Sequence, residues 1–408
     1  MTTPAGAEST HKPPTQSERN ALAADRARIA ELKAEILELE LALSSMMEED
    51  KLLQDRLDAY TYPVLILPNE IVSEIFVHFL PVYPKTPPVI GRTSPNVLSQ
   101  ICRKWRGIAL SAPALWRGIT LSLRNGKRLD QKLRLLESWL QRSGSCLLSI
   151  KMDFGHDPVD NGAVGPFTRA ITAHSIRWEH LQIHSLDLLL PSNIISLPFL
   201  RTLSTLTTRN SDTGPLHAAP LLRNVALFLW GEHDISLCPW SQLTTFTANF
   251  IPPHHCLYFF TQAVNLVSCS LHIDPKKKDH GVQTSRHAVT LPHLQTLILE
   301  GSFTSDVPWV FLDFFTLPAL QKFQIGARLL QGDPIGLLKS LISRSGCSIQ
   351  ELYLTRVLVH PPLESYRIAL PTVGFISFDG IVMDSPWHVP WHEEIEEDDQ
   401  GGSSDESV

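Results

Sequence analysis

The side chains best suited to chemistry are His254, His255 and Cys256, three neighbours of metal-ligating type. In an extended segment, adjacent residues point to opposite faces and cannot converge on one ion. With Pro252 and Pro253 before them, the expectation is a loop that holds no metal. Lys276, Lys277 and Lys278 form a short basic run, the pattern of a solvated loop and, with less weight, of a nuclear or nucleic-acid determinant. Ser403, with Glu406 three residues on, fits an acidophilic kinase site. No Gly-x-Gly-x-x-Gly, P-loop, Gly-x-Ser-x-Gly or His-Glu-x-x-His occurs, so nucleotide binding, the commonest hydrolase nucleophile and the zincin site lack support. The expectation is a chain that is not an enzyme and takes no cofactor.

Without local chemistry, function must lie in surfaces, and composition limits what these can be. At 408 residues with 43% hydrophobic content, two or three domains of roughly 150 residues can each bury a core. The net charge is −7, but Glu393, Glu394, Glu396, Glu397, Asp398, Asp399, Asp405 and Glu406 carry the excess, and the body without them stands at about +1. Bulk attraction to a polyanion is therefore not expected, which weighs against a nucleic-acid partner. Six cysteines are scattered without a Cys-x-x-Cys pair and no glycosylation sequon is present, as expected in a reducing compartment. The polar first twenty residues lack a signal-peptide core, and no run of about 18 apolar residues exists to span a bilayer. A cytoplasmic or nuclear location, with no membrane partner, is expected.

Residues 1–20 read as a disordered leader. From 21 to 60 the pattern becomes a heptad: Ile29, Leu32, Ile36, Leu39, Leu43 and Met46 alternate in steps of three and four, Asp50 takes the next seam position, and Leu53, Leu57 and Tyr60 resume. With no Pro or Gly between Ala21 and Thr61, one helix of about 35 to 40 residues is expected. Two outcomes stay open, self-association as a coiled coil or packing onto the rest of the chain. Tyr62-Pro63 breaks the helix. Pro68 suits the start of a new one, with Glu70 in its first turn, and Ile71, Val72, Ile75, Phe76, Phe79 and Leu80 then fall on two adjacent stripes. That is more apolar face than a small module needs internally, so part of it is expected to meet a partner. The competing reading is a plain helical subdomain stapled onto the rest of the chain. A proline-rich insertion from Pro81 to Pro95 leads to a second helix carrying Leu98, Ile101, Cys102, Trp105, Ile108 and Ala109.

The run Leu67-Pro68-Asn69-Glu70-Ile71-Val72-Ser73-Glu74-Ile75-Phe76, then Ile101-Cys102-Arg103-Lys104-Trp105-Arg106 and Ala112-Pro113-Ala114-Leu115-Trp116, resembles an F-box. The layout, with a coiled coil ahead of Tyr62-Pro63-Val64-Leu65, is similar to F-box proteins of mushroom-forming fungi. The resemblance implies a three-helix module over 61–122 that docks a Skp-type adaptor through Leu67, Pro68, Glu70, Ile71, Ile75, Leu98, Cys102 and Trp105. The proline-rich insertion is longer than in a compact F-box, a departure that bears on how the two helices are placed.

Over 123–392 a phrase of the form Leu-x-x-Leu-x-Leu recurs nine times, its leading residues Leu181, Leu200, Leu222, Leu243, Leu266, Leu294, Leu320, Ile349 and Val373 lying 19 to 29 residues apart. That period is close to the one of leucine-rich repeats, in which the alternating pair makes a short strand and the first residue plugs the turn before it. Leu197-Pro198, Ala219-Pro220, Leu291-Pro292, Leu317-Pro318 and Leu370-Pro371 place a proline where such a turn belongs. Gln182, Arg201, Arg223, Thr244, Gln295, Gln321 and Gln350 are expected to point outward from the strands. An ordinary α/β domain with leucine-rich strands is the alternative. Trp387, His388, Trp391 and His392 are expected to cap the last repeat, and 393–408 to form a disordered acidic tail. The expected fold class is α+β: a long N-terminal coiled-coil helix, a three-helix F-box module, then an irregular leucine-rich-repeat α/β solenoid. The function implied is the substrate-recognition subunit of an SCF-type cullin-RING ubiquitin ligase, with the adaptor and cullin subunits and an unidentified target protein as partners. The alternative is a scaffold outside any ligase that oligomerises through 21–60.

Overall fold

The computed structural model describes residues 15–59, 63–123, 128–153, 161–183, 196–207, 219–229, 238–251, 253–273, 288–301, 310–330, 332–355 and 361–378. The expectations for the leader before Thr15, Tyr60, Lys276 to Lys278, the Trp387 to His392 cap, Ser403 and the acidic tail lie outside these residues. The chain divides into two compact units, Met1–Pro68 and Asn69–Val408. Its secondary structure is mixed, with a long N-terminal helix and a parallel sheet.

In the first unit, α1 spans Gln16–Ala59, 44 residues or about 66 Å. It starts five residues ahead of the predicted 21 because Thr15 and Glu18 form a capping box: Glu18 N–H donates to Thr15 Oγ1 at 3.4 Å, and Thr15 N–H donates to the Glu18 carboxylate at 2.7 Å. Donation by the Thr15 N–H, and then by the Thr15 hydroxyl, holds the Glu18 carboxyl below the usual range. No residue of α1 is buried, and the seam from Ile29 to Leu57 is exposed along its length. One turn of 3₁₀ helix, Pro63–Ile66, follows.

The second unit opens with α2 (Asn69–Phe79), α3 (Pro95–Ile101) and α4 (Arg103–Ser111). The single helix predicted over 98–109 is thus two. Cys102 breaks it, extended at φ −153° and ψ 169°, and its Sγ accepts from Trp105 N–H at 3.4 Å to cap α4. A competing side-chain acceptor can end one helix and start the next without disturbing the apolar spacing that both share.

The 3₁₀ turn Pro113–Trp116 then feeds the strands β1 (Gly118–Ser122), β2 (Leu148–Asp153), β3 (Trp178–Ile183), β4 (Thr202–Thr207), β5 (Asn224–Leu229), β6 (Thr245–Ile251), β7 (Ser268–Ile273), β8 (Val289–Thr290), β9 (Thr296–Gly301), β10 (Phe315–Thr316), β11 (Lys322–Gly326), β12 (Glu351–Thr355) and β13 (Phe375–Ser377). All but β8 and β10, which pair with each other, form one sheet in chain order, every neighbouring pair parallel. The connections carry α5 (Leu129–Arg142), α6 (Asn161–Thr172), α7 (Pro253–Gln262), α8 (Pro334–Ser345) and α9 (Leu363–Ala369). In α8 the local signals all agree: Asp333 accepts from Gly336 N–H at 2.8 Å, Pro334 takes the first turn, and Gly346 ends the helix at φ 61°, where a side chain would be strained.

Register stacks like on like. One buried column runs Ile119, Ile150, Leu181, Leu203, Val225, Phe246, Cys269, Leu297, Phe323, Leu352 and Ile376, and a second, two residues on, runs from Leu121 to Leu354. A third, at the residue that plugs the turn, holds Leu148, Trp178, Leu200, Leu222, Leu243, Leu266, Leu294, Leu320 and Ile349. Eight of the nine phrases fall on this register. The phrase led by Leu181 is three residues late: in β3 the plug is Trp178 and the inward pair is Leu181 and Ile183. Two further units lie upstream, and in the first Trp116 stands three residues ahead of Ile119, so the sheet begins inside the stretch assigned to the helical module. Trp116 meets Trp139 of α5 edge-on at 4.9 Å, and their indole N–H groups donate to the carbonyls of Ala109 and Gly118.

The prolines act as predicted. In each Leu-Pro or Ala-Pro turn the plug N–H donates back three residues, Leu200 to Leu197, Leu222 to Ala219, Leu294 to Leu291, Leu320 to Leu317 and Val373 to Leu370, at 3.1 to 3.4 Å. Proline's preset φ suits the second position of such turns. No regular asparagine cements them; glutamine and asparagine from the next turn do so locally, with Gln242 Nε2 donating to Ala219 O at 2.7 Å and Leu222 O at 3.1 Å, and Asn265 Nδ2 to Ser241 O at 2.6 Å. Gln242→Ala is expected to cost about 1 kcal/mol for two carbonyls left to find other donors, read as a lower midpoint in thermal unfolding.

Candidate protein-interaction surfaces

The first surface is on α2. Val72 and Phe76, one turn apart, are each 1% exposed and face the module's core, where Trp105 of α4 meets Phe76 edge-on at 4.9 Å. One residue back on the same turns, Ile71 and Ile75 remain 51% and 48% exposed, and Phe79, one turn further on, 41%. The two stripes read from the sequence are therefore an inward and an outward face. Val82 and, on α3, Ile101 add exposed apolar area to the module.

The eight residues implied by the resemblance do not share one environment. Ile71, Ile75 and Glu70 are exposed; Leu98, at 4%, belongs to the module's own core. Cys102 is half-buried and occupied as the cap of α4. Trp105 is half-buried, and its Nε1 is shielded from water without a hydrogen-bond partner, a cost of about 1–3 kcal/mol within the folded module. In the first unit, Leu67 is half-buried and Pro68 exposed.

The second surface is the sheet's outward face. Of the residues predicted to line it, only Gln182 stands on a strand; Arg201, Arg223, Thr244, Gln295, Gln321 and Gln350 form a column one residue before the strands. The prediction stepped by two from the wrong side of the turn, and their backbone N–H groups instead link successive turns, as in Gln321 N–H to Gln295 O at 2.9 Å. Arg223, Thr244 and Gln295 line a groove of about 550 Å³ there, with Gln242, Asn265 and His293. The strands' outward side chains are chiefly small and hydroxylic in the middle, Thr202, Thr245, Ser268, Thr296, Thr247 and Ser270, with Asn224 exposed among them. Towards β12 they become charged and aromatic: Lys322 pairs with Glu351 at 2.8 Å, and Tyr353 Oη donates to the same carboxylate. Those bonds hold the Glu351 carboxyl below its ordinary range.

The proline-rich insertion, which no motif assigned a task, covers the other end of this face. Tyr83 Oη donates to Glu179 at 2.8 Å and its ring lies over the Arg117 guanidinium at 3.7 Å; Ser149 Oγ donates to Pro84 O; Thr86 bonds Thr120; and Pro87 closes on Gly118, where a Cβ would lie 3.0 Å from its ring. Burial, then the bond to Glu179, push the Tyr83 hydroxyl up. No family model matches the chain, and no curated protein matches it. Function has to be read from these two surfaces. Among the described residues no helix is long and apolar enough to cross a membrane.

His254, His255 and Cys256 lie in α7, not in the predicted loop. Pro253 opens that helix, and Cys256 is fully buried, its thiol pushed up by desolvation and so kept protonated.

His180 sits under the cover, edge-on to Tyr83 at 5.4 Å, with Glu179, Arg201 and Arg117 nearby. Burial lowers its pKa from 6.5, and the two arginines act in the same direction against Glu179. The folded state therefore binds fewer protons than the unfolded chain between the two pKa values. Stability is intact above about pH 6.5 and declines as pH falls through the unfolded value toward the lower folded one. His174, lowered by burial and by Arg177, adds to the same slope. Thermal unfolding is expected at a lower midpoint at about pH 5.5 than at about pH 7.5, with part of the difference lost in His180→Gln.

Proposed function

We propose that the chain is a non-catalytic substrate-recognition subunit of an SCF-type cullin-RING ubiquitin ligase, in which residues 61–122 serve as an F-box for a Skp-type adaptor and the parallel strands form a leucine-rich-repeat solenoid that holds a target protein. The observation that carries the reading is the outward stripe of Ile71, Ile75 and Phe79, left exposed on a helix whose sequence run resembles an F-box. A stripe of this kind at helical spacing suits a protein groove, and each side chain buried there would contribute ~1.5 to 3 kcal/mol before ordering costs. Glu70 precedes it on α2, Cys102 and Trp105 would join it from the start of α4, and Leu98 would act from beneath by holding the module's shape. The open part of the sheet, polar and varied from Thr202 to Phe375, suits protein recognition better than a small apolar ligand. The other ligase subunits would supply the ubiquitin chemistry.

Co-purification of the full chain with a Skp-type adaptor tests the reading, and failure to bind at ~10 μM of each partner would remove it. The scaffold alternative is favoured by one observation, the exposed seam of α1. It predicts self-association with no adaptor binding, so the same experiment separates the two.

A further inference from the structure

We propose that α1 pairs with α1 of a second copy of this chain in an antiparallel coiled coil, with Ile36 of each helix facing Leu39 of the other. This inference does not depend on the ligase reading. The seam Ile29, Leu32, Ile36, Leu39, Leu43 and Met46 is exposed along α1, so among the described residues these six apolar side chains have no cover. Self-pairing is the economical way to bury a heptad seam, and the residues beside it decide orientation.

Those flanking residues are Arg28, Glu35, Ala42, Glu49 and Arg56 on one side and Arg26, Lys33, Glu40, Met47 and Gln54 on the other. In a parallel, in-register pair each residue of the first set meets the one five positions on in the partner. That sets Arg28 against Lys33 and Glu35 against Glu40, twice each by symmetry, so the charged contacts repel. An antiparallel pair centred between Ile36 and Leu39 sets Arg28 against Glu49 and Lys33 against Glu40, again twice each, and all four attract. Its seam layers match Ile29 with Met46, Leu32 with Leu43 and Leu22 with Leu53. Asp25 meets Asp50 in two layers, the same number of like-charge layers that the parallel pair has, so the acids do not discriminate. Sliding the antiparallel pair one heptad one way stacks Arg28 on Arg56, Glu35 on Glu49 and Glu40 on Glu40; sliding it the other way offsets the attraction of Arg26 for Glu40 with Glu35 on Glu35 and Lys33 on Lys33; and each slide sets aspartates against leucines. The attractive register is thus set apart by charge and seam together.

Within one helix Arg28 already bonds Glu31 at 2.6 Å, an exposed pair that substitution would also lose. A charge-swapped double variant controls for this loss. Sedimentation of the full chain should show a monomer–dimer equilibrium. Arg28→Glu should raise the dimer dissociation constant at least threefold by turning two attractions into repulsions, and Arg28→Glu with Glu49→Arg should return it to within about twofold of the parent. Tighter association of Arg28→Glu would overturn the proposal, because the introduced carboxylate meets Lys33, and so attracts, only in the parallel pair. An unchanged constant, a loss not rescued by the second substitution, or a chain monomeric at ~100 μM would overturn it equally.

Discussion

Ile71→Asp with Ile75→Asp is expected to lower affinity for a Skp-type adaptor at least thirtyfold, about 2 kcal/mol, while leaving the fold intact. Both side chains are about half exposed on the outer stripe of α2, so a carboxylate there stays hydrated in the free chain. In a complex the same carboxylates would be desolvated against an apolar groove with no partner, which costs more than the lost apolar contact alone. Leu98→Ala makes the contrast. That side chain is buried, so its removal opens a cavity and should cost about 2–5 kcal/mol of stability. Calorimetric titration of adaptor into each variant, with unfolding followed in parallel, separates contact from support. Unaltered affinity in the double variant would sink the F-box assignment. A double variant that unfolds would place the stripe inside the protein's own core.

Leu297→Ala or Leu299→Ala is expected to destabilise the second unit by about 2–5 kcal/mol, and Gln295→Ala by almost nothing. Leu297 lies between Cys269 and Phe323 in its column, and Leu299 between Leu271 and Ile325. Each is buried on a face where all neighbours are apolar, so the void cannot be filled by a polar rearrangement. Gln295, two residues before Leu297, is exposed in the turn column and contributes to the sheet through its backbone. Denaturant midpoints of the three variants give the comparison. Equal losses at 295 and 297 would contradict the register that stacks the strands.

What sequence alone determined here is what neighbours along the chain decide. A three-and-four step of apolar residues dictates the long helix, and Thr15 with Glu18, a capping box that could have been read, dictates where it begins. Each Leu-Pro or Ala-Pro pair dictates a turn because proline's φ is preset, and the plug and inward leucines then come at fixed distances. These signals act within about four residues, where no tertiary partner is needed. The late placement of the Leu181 phrase shows the limit, since Trp178 plugs its turn as well as a leucine does and a leucine pattern passes over it.

Tertiary structure decided which face of each element has a cover. The spacing of Ile71, Val72, Ile75 and Phe76 is equally compatible with either stripe lying inside; the packing of Trp105 on Phe76 selects one. Turn and strand residues differ by a single step in sequence, yet that step separates Gln295 in the groove-lining column from Thr296 on the open sheet, and only cross-strand register resolves it. Nothing local marks Tyr83 to Pro87 as the cover of β1 to β3, because its partners Glu179, Ser149 and Thr120 lie 34 to 96 residues away. Burial depends on contacts between segments far apart in the chain, and a periodic pattern records only that a face is apolar, not what meets it.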